Sequence, residues 1–315
     1  MIRRGALLAG LLVLGCAGHG VNTAPVGLPV PVSSAFAAAE AGAPLPAGTV
    51  VGLVARADGT TFSPAPGVTV NLDPGGRTTR TDLDGHYRFD GLAPGTLHLS
   101  VQAADCLSVT ITATLGPAVG LPRVNLPLVP KSASPGIAGV VCDPRGCALP
   151  NGTVHEVDAL TTPGIRDADA DADGFFAIAL TGARGNGAIE LQGHGTTPGG
   201  LRVESTTVQT LAADGTLAVQ VGTDAFSAPT NAHVLREGSG QLTITADGLP
   251  TRPDELSLRV TNGGNQWTLA PDRLADGELD ATLPAEASGE ASATLRPFDR
   301  DPPTGPVTLR FTIAP

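Results

Sequence analysis

The sequence predicts an all-β protein built from tandem β-sandwiches, and two features indicate this. Glycine and proline are abundant, with 41 glycines and 28 prolines among 315 residues, and turn sequences such as ADG, PGG and APG recur. Between the turns lie short segments of alternating or continuous apolar residues, the patterns of half-buried and fully buried strands. Apolar residues make up 41% of the chain, which excludes wholesale disorder. Many short strands joined by such turns are typical of sandwiches.

The charge of the chain excludes one class of partner. The formal net charge is -11 and the isoelectric point is about 4.9. Nucleic-acid binding needs clustered Lys and Arg residues to neutralise phosphates, and the sequence has no such cluster. We therefore expect an acidic exterior and no nucleic-acid partner.

The first residues have the features of an export signal. Arg3 and Arg4 precede the apolar stretch GALLAGLLVLG, which is too short to span a bilayer as a mature helix. The stretch ends in V-L-G-C, which resembles a bacterial lipobox. By that resemblance, residues 1–15 are a lipoprotein signal peptide and Cys16 is the lipidated residue. The other interpretation is an ordinary secretory peptide with an incidental cysteine, and either one exports the chain.

The expected location is the bacterial cell envelope, with the lipid anchor as the contact to the membrane. Ala17 stands where an aspartate would indicate retention in the inner membrane of many Gram-negative bacteria. We therefore expect an outer-membrane lipoprotein that faces either the periplasm or the cell surface.

Composition divides the exported chain into a linker and three β units. Residues 16–47 are rich in Ala, Pro and Gly and have no sustained periodicity, so we expect a flexible linker after the lipidated cysteine. Strand patterns then fill residues 48–130, 134–222 and 224–315. We expect each of the three units to have its own core.

The first two units are an internal repeat. The sequence DLDGHYRF at residues 82–89 corresponds to DADGFFAI at residues 171–178. With PGVTVNL before it and GLAPG after it, the first unit resembles the carboxypeptidase regulatory-like family. The second unit resembles the family more weakly, because TGARGNG replaces the L-x-PG step. The resemblance implies two transthyretin-like, seven-stranded β-sandwiches without catalytic residues, in a superfamily that includes starch-binding-like domains.

The third unit is expected to be an immunoglobulin-like sandwich. Its strands alternate cleanly, with Leu242, Ile244 and Ala246 on one face of one strand. It has no Cys…Trp…Cys pattern of a true immunoglobulin domain.

Two of the cysteines flank a turn. Cys142 and Cys147 enclose Asp-Pro-Arg-Gly, and in an oxidising compartment such a turn favours a hairpin disulfide between them. Zinc is the alternative, but two thiols need further ligands, and no second C-x-x-C or histidine pair lies nearby. Cys106 has no evident partner and is expected to be buried.

The run DADADADGFF raises the question of a metal. Its four carboxylates alternate along the chain: Asp167, Asp169, Asp171 and Asp173. The last three, with Gly174, match the start of an EF-hand loop, but the twelfth position is Leu180 instead of Glu. The preferred interpretation is a strand with a wet aspartate face that ends in an Asp-Gly turn, as in the first repeat. Calcium is the alternative, and no other cofactor is expected.

The sequence predicts a non-catalytic protein. Its histidines are scattered, and none lies in H-E-x-x-H or beside G-x-S-x-G. We therefore expect no enzyme, but a lipid-anchored envelope lipoprotein that acts as a structural or binding module. One alternative is a carbohydrate-binding protein with Trp267, Tyr87 and His86 as ring-stacking residues. Another is an accessory component of an envelope transport or assembly complex. The expected partners are the membrane and a glycan or an envelope protein.

Overall fold

The fold was obtained as a computed structural model of the chain. The residues that it describes are 32–41, 43–107, 109–131, 136–157, 166–179, 188–210, 217–222, 225–226, 228–238, 240–300 and 306–313. The predicted signal peptide (residues 1–15), Cys16 and the TGARGNG segment lie outside the described residues. Within the described part of the chain, no helix is long and apolar enough to cross a membrane.

The chain is almost entirely β-structure, and the predicted fold class of tandem β-sandwiches is confirmed. The first part comprises α1 (Val32–Glu40), β1 (Val50–Asp58), β2 (Thr61–Pro64), β3 (Thr69–Asp73), β4 (Arg77–Arg80), β5 (His86–Phe89), β6 (Gly95–Val101), β7 (Val109–Leu115) and β8 (Leu126–Leu128). The second comprises β9 (Gly136–Val141), β10 (Thr153–Val157), β11 (Arg166–Asp169), β12 (Phe175–Ala179), β13 (Ala188–Thr196), β14 (Arg202–Thr210), β15 (Leu217–Val221) and β16 (Ala225–Phe226). The third comprises β17 (Thr230–Gly238), β18 (Gln241–Asp247), a 3-10 turn (Pro253–Glu255), β19 (Leu256–Asn262), β20 (Asn265–Leu269), β21 (Arg273–Ala275), β22 (Glu278–Thr282), β23 (Gly289–Pro297) and β24 (Thr308–Ile313).

In the first sandwich, β1 is the central strand of one sheet. It pairs antiparallel with β5 and β2 and parallel with β8, and the opposite sheet has the order β4-β3-β6-β7. Along β7, Val109, Ile111, Ala113 and Leu115 are buried, while the residues between them lie on the outer face. The mostly exposed strand β2 has no apolar alternation, so the sequence did not predict it.

The second sandwich repeats this arrangement. There β9 pairs antiparallel with β12 and parallel with β15, opposite a sheet of order β11-β10-β13-β14-β16. Both central strands carry a glycine at the same place. A Cβ on Gly52 would lie 2.0 Å from the carbonyl oxygen of Val124, and one on Gly139 would lie 2.1 Å from that of Val219. A large aromatic ring covers each glycine, from Tyr87 in the first repeat and Phe176 in the second.

The first two sandwiches share apolar packing across their boundary, which differs from the expectation of separate cores. Val140, Cys142, Ala148 and Phe175 of the second unit belong to the core cluster of the first. The rings of Phe62 and Phe175 stack with their centres 4.9 Å apart. Repeats that bury apolar side chains against each other stabilise one another through that interface.

The third sandwich consists of two antiparallel sheets, β17-β18-β22-β21 and β20-β19-β23-β24. Its main core lies between them, while Phe298 packs in the core cluster of the second sandwich. Strand β16 still pairs with β14, so the sheet of the second unit extends to Phe226. The predicted end of the second unit at residue 222 is therefore too early.

The prediction of a flexible linker over residues 16–47 is wrong for the C-terminal part of that segment. Residues 32–40 form α1, in which Ala35, Phe36 and Ala39 are buried against the core of the first sandwich. The ring of Phe36 stacks on His86 with the ring centres 4.0 Å apart. A nine-residue helix is marginal in water by itself, so this tertiary contact is the reason that it forms.

We expect Phe36→Ala to release α1 from the first sandwich. Removing a buried aromatic ring costs about 3 kcal/mol or more, which exceeds what a nine-residue helix retains alone. Limited proteolysis followed by mass spectrometry should then show faster cleavage between residues 32 and 47. As a control, Leu83→Ala changes a side chain that is 88% exposed and should leave the cleavage rate as it is. Equal cleavage rates in the Phe36 variant and the unmodified chain would contradict this role of α1.

Candidate functional site

The loop CDPRGC forms a tight turn at the junction of the sandwiches. The Asp143 N–H donates to the Cys147 carbonyl at 2.8 Å, and the Gly146 N–H donates to the Asp143 carbonyl at 2.9 Å. The carboxylate of Asp143 also accepts the N–H groups of Arg145 (2.8 Å) and Cys147 (3.0 Å). The loop is thus held by its own aspartate, without a covalent link.

The predicted disulfide is not formed in the structure, where Cys142 and Cys147 are free and buried. Cys142 faces Ala148 across an isolated antiparallel bridge, so Cys147 is displaced by one residue from the position opposite Cys142. Burial raises the pKa of both thiols above the ordinary value, which disfavours the reactive thiolate. Cys106 is buried, as expected.

Arg145 joins the loop of the second sandwich to the third. Its guanidinium donates twice to the Asp143 carboxylate, from Nε at 3.1 Å and Nη2 at 2.9 Å. Its Nη1 donates to the backbone carbonyl of Asp254 at 2.6 Å and to the Asp254 carboxylate at 3.2 Å. The guanidinium carbon also lies 5.2 Å from the ring centre of Phe298. The side chains of Arg145 and Asp254 are only 8% and 4% exposed, so this is a buried ion pair between units.

The surrounding charges set the ionisation of this network. Burial alone would raise the pKa of Asp254, but the guanidinium groups of Arg145 and Arg252 outweigh it and hold that pKa below the ordinary value. The pKa of Glu255 moves the other way. There the effect of burial outweighs that of the Arg145 charge and raises the pKa above the ordinary value. The Glu255 carboxylate accepts hydrogen bonds from the Thr197 hydroxyl and from the Gly199 N–H, the latter at 2.8 Å. These contacts tie the 3-10 turn of the third sandwich to the second.

A cleft of about 360 Å³ opens beside this network. The first sandwich lines it with Leu115 and Val119, and the third lines it with Leu256, Phe298 and Arg300. Its described lining residues include no histidine, cysteine or lysine, and so no nucleophile activated by a histidine. The cleft can accommodate an apolar group.

The Asp-Gly turn of the second repeat docks on the first sandwich. Arg123 donates to the Ala172 carbonyl, and the side-chain amide of Asn125 donates to the Asp173 carbonyl at 2.8 Å. Within the turn, the Asp171 carboxylate accepts the N–H groups of Asp173 and Phe175, both at 2.9 Å. This turn is therefore part of the junction between the first two units.

The first repeat makes the same turn, as the sequence predicted. The Asp82 carboxylate accepts the N–H groups of Asp84 (3.0 Å) and His86 (2.8 Å). Gly85 then takes the left-handed conformation, with φ +78°, as Gly174 does with φ +80°.

The four predicted calcium ligands do not converge in the structure. Asp167 and Asp169 lie on β11, opposite His155 and Thr153 of β10. Asp171 holds the turn, and Asp173 lies 3.7 Å from the Arg123 guanidinium. In the described part of the chain, the group with three ligand atoms within 4.8 Å of one another is instead Asp82, Asp84 and His86. There one oxygen of Asp82 already accepts two backbone N–H groups, and Phe36 covers the imidazole.

The prediction of ring-stacking residues is wrong for Tyr87 and His86, two of the three. Tyr87 is completely buried, and its hydroxyl donates to the Val124 carbonyl. The His86 ring is covered by Phe36. Trp267, on the edge strand β20, is half-buried and packs against the core of the third sandwich.

Comparison with family models decides the identity of the first sandwich. Residues 49–128 match the carboxypeptidase regulatory-like domain. These residues are a carboxypeptidase regulatory-like domain. The match spans β1 to β8 and ends before the CDPRGC loop. Carboxypeptidase regulatory-like domains are non-catalytic, which is consistent with a structural or binding module in this part of the chain.

Solved structures resemble the chain only distantly. The Bacillus anthracis TIE protein is 11% identical with a TM-score of 0.25; the alignment covers 84% of this chain and 48%, about half, of the TIE protein. A DUF3823 family protein from Parabacteroides merdae is 12% identical with a TM-score of 0.24, over 56% of this chain and 98% of that one. The minor pilin of Streptococcus agalactiae is 13% identical with a TM-score of 0.20, over 56% of this chain and 94% of that one. No curated protein matches the sequence.

Proposed function

We propose that the protein is a non-catalytic, lipid-anchored spacer of the bacterial envelope, which holds three β-sandwiches as one stiff unit away from the outer membrane. The buried ion pair between Arg145 and Asp254 carries this proposal. Separation of the units would leave Arg145 with Asp143 and Asp254 with Arg252. It would, however, break the two buried hydrogen bonds from Arg145 Nη1 to the carbonyl and the carboxylate of Asp254, and these bonds fix the relative position of the units.

Further contacts support a stiff arrangement. Residues 31–315 form one compact unit. The docked Asp-Gly turn joins the first two sandwiches, and the Thr112 backbone exchanges two hydrogen bonds with the Gln220 side chain, at 2.8 and 3.0 Å. Mobile domains are the default where an interface is small and polar, whereas here apolar and charged groups are both buried at the interfaces.

The anchor in this proposal is a lipid on Cys16, and the location is the outer membrane. Support comes from the basic residues, the short apolar stretch and the lipobox-like V-L-G-C sequence. A stable attachment through lipid leaves the sandwiches outside the bilayer. The proposed partners are therefore the membrane and an envelope protein that binds the displayed loops.

Binding of a carbohydrate is less well supported. Sugar-binding sites generally present exposed flat rings, and the rings of Tyr87 and His86 are covered. A stiff spacer can also serve as an accessory component of an envelope assembly, and the proposed function includes this role.

Replacement of the anchoring residue tests the proposal. We expect Cys16→Ser to abolish incorporation of radiolabelled palmitate and to shift the protein from the membrane to the soluble fraction, because the thiol that takes the lipid is lost. Cys106→Ser, which changes a buried cysteine of the first sandwich, is the matched control and should keep both label and location. Normal palmitate labelling of the Cys16 variant would overturn the lipid anchor.

A further inference from the structure

A row of charged and ionisable side chains crosses one face of the second sandwich. Asp167 on β11 lies directly opposite His155 on β10, and His194 on β13 lies directly opposite Glu204 on β14. The direct partner of His194 on β10 is Thr153, two residues before His155. Residues two apart on a strand share a face, so the two histidines are diagonal neighbours on one face of four consecutive strands.

The two imidazole rings have the spacing of a pair that shares a metal ion. Their centres are 5.1 Å apart and their planes meet at 66°. A tetrahedral ion about 2.0–2.1 Å from each nitrogen, with each nitrogen roughly 1.1 Å from its ring centre, places the two centres about 5 Å apart. The observed spacing of the ring centres therefore agrees with a shared ion.

One flanking carboxylate, that of Asp167, is placed to orient the ring of His155. Asp167 Oδ1 lies 2.5 Å from Nδ1 of His155, and Glu204 Oε1 lies 4.0 Å from Nδ1 of His194. A carboxylate that accepts the Nδ1 proton of a neutral imidazole selects the tautomer with a free Nε2 lone pair, and this is the usual outer contact of a metal-binding histidine. Glu204 is too far from His194 for such a bond, and its Oε1 accepts from Gln192 at 3.1 Å. Among the described residues, the polar contacts of both rings are made at Nδ1, and neither Nε2 atom has a hydrogen-bond partner.

We propose that His155 and His194 bind one divalent transition-metal ion through their Nε2 atoms, with Asp167 as the orienting residue of His155 and water as the remaining ligands. Imidazole ligands select zinc, copper or nickel over calcium and magnesium. The two carboxylates add negative charge next to the dication. The histidine side chains are 30% and 36% exposed, so an ion reaches them from solvent.

This site differs from the calcium site that the sequence suggested. It uses only Asp167 of the four aspartates, and uses it as a partner of a histidine. It lies in the second sandwich, outside the residues that match the carboxypeptidase regulatory-like domain. It does not depend on the proposed lipid anchor, and its test is independent of that proposal.

Zinc titration by calorimetry tests the site. The full chain with Cys16→Ser, which removes the thiol at the lipidation site, should bind zinc at His155 and His194. His155→Ala and His194→Ala should each weaken this binding at least tenfold, and Asp167→Asn should weaken it about 10- to 100-fold through the orientation of His155. His98→Ala is the matched control, because His98 is an exposed histidine on a sheet strand and lies 3.3 Å from Thr112.

The titration distinguishes a metal site from a solvated sheet face that binds no metal. Thermal unfolding of each variant, measured without zinc, checks that the fold is retained, and His155→Gln replaces any alanine variant that fails this check. Zinc binding that is unchanged in the His155 and His194 variants would overturn the proposal. Absence of zinc binding by the parent chain would overturn it as well.

Discussion

Arg145→Ala should lower the free energy of unfolding by about 3–5 kcal/mol, because it leaves one buried carboxylate without a cation and a second with Arg252 as its remaining cation. These are Asp143, in the same loop, and Asp254, which lies 109 residues further along the chain. Urea denaturation of the full chain, followed by circular dichroism, measures the change. The stability of Arg145→Lys should lie between that of the unmodified chain and that of Arg145→Ala. An ammonium group keeps the charge but cannot reproduce the planar fork of hydrogen bonds.

The matched control is Arg80→Ala. Arg80 is exposed and donates a single long hydrogen bond, at 3.4 Å, to the Gly67 carbonyl. Its replacement should change the free energy of unfolding by no more than about 0.5 kcal/mol. If Arg145→Ala were as mild as this control, the buried ion pair would not hold the units together, and the proposed stiff spacer would lose its main support.

Gly52→Ala should destabilise the first sandwich by about 3 kcal/mol or more, since a methyl group there overlaps atoms that cannot move away. The added Cβ would lie 2.0 Å from the Val124 carbonyl oxygen and 2.8 Å from the Tyr87 ring. The carbonyl belongs to the backbone next to β8, and the ring is fully buried. Differential scanning calorimetry should show a lower unfolding temperature, or no folded protein at all.

Gly116→Ala is the control for this change. A Cβ at Gly116 meets no atom within 4 Å, and its φ is not in the left-handed region. This variant should unfold at nearly the same temperature as the unmodified chain. A Gly52 variant that is equally stable would mean that the Val124 carbonyl and the Tyr87 ring do not pack closely against β1.

Local sequence predicted the features that depend on neighbouring residues. The Asp-Gly turns at Gly85 and Gly174 form as expected, because an aspartate that accepts the following N–H groups and a glycine with positive φ are properties of a few adjacent residues. The repeat was visible for the same reason. Strand β2 was missed because its four residues are mostly exposed and have no apolar alternation.

Local sequence did not predict the contacts of the candidate site. CDPRGC suggested a disulfide, yet the register places Ala148 opposite Cys142, and the buried partner of Arg145 lies in the third sandwich. An arginine in a Pro-Gly turn usually faces solvent, so no signal in the loop itself indicates that it is buried. The sequence likewise offers Tyr87 and His86 as ring-stacking residues, although Tyr87 is fully buried in the core and Phe36 covers His86.

The sequence by itself determined the all-β fold class, the repeat, the turns and the carboxypeptidase regulatory-like domain, because strand alternation and turn chemistry are short-range properties. Only the tertiary structure decided that α1 packs on the first sandwich, that the first two units share apolar packing, and that Arg145 pairs with Asp254. It also decided that Asp167 of the aspartate run lies against His155, next to His194. These contacts join residues that are far apart in the chain, and they depend on strand register and on the docking of whole sandwiches, which no short stretch of sequence specifies.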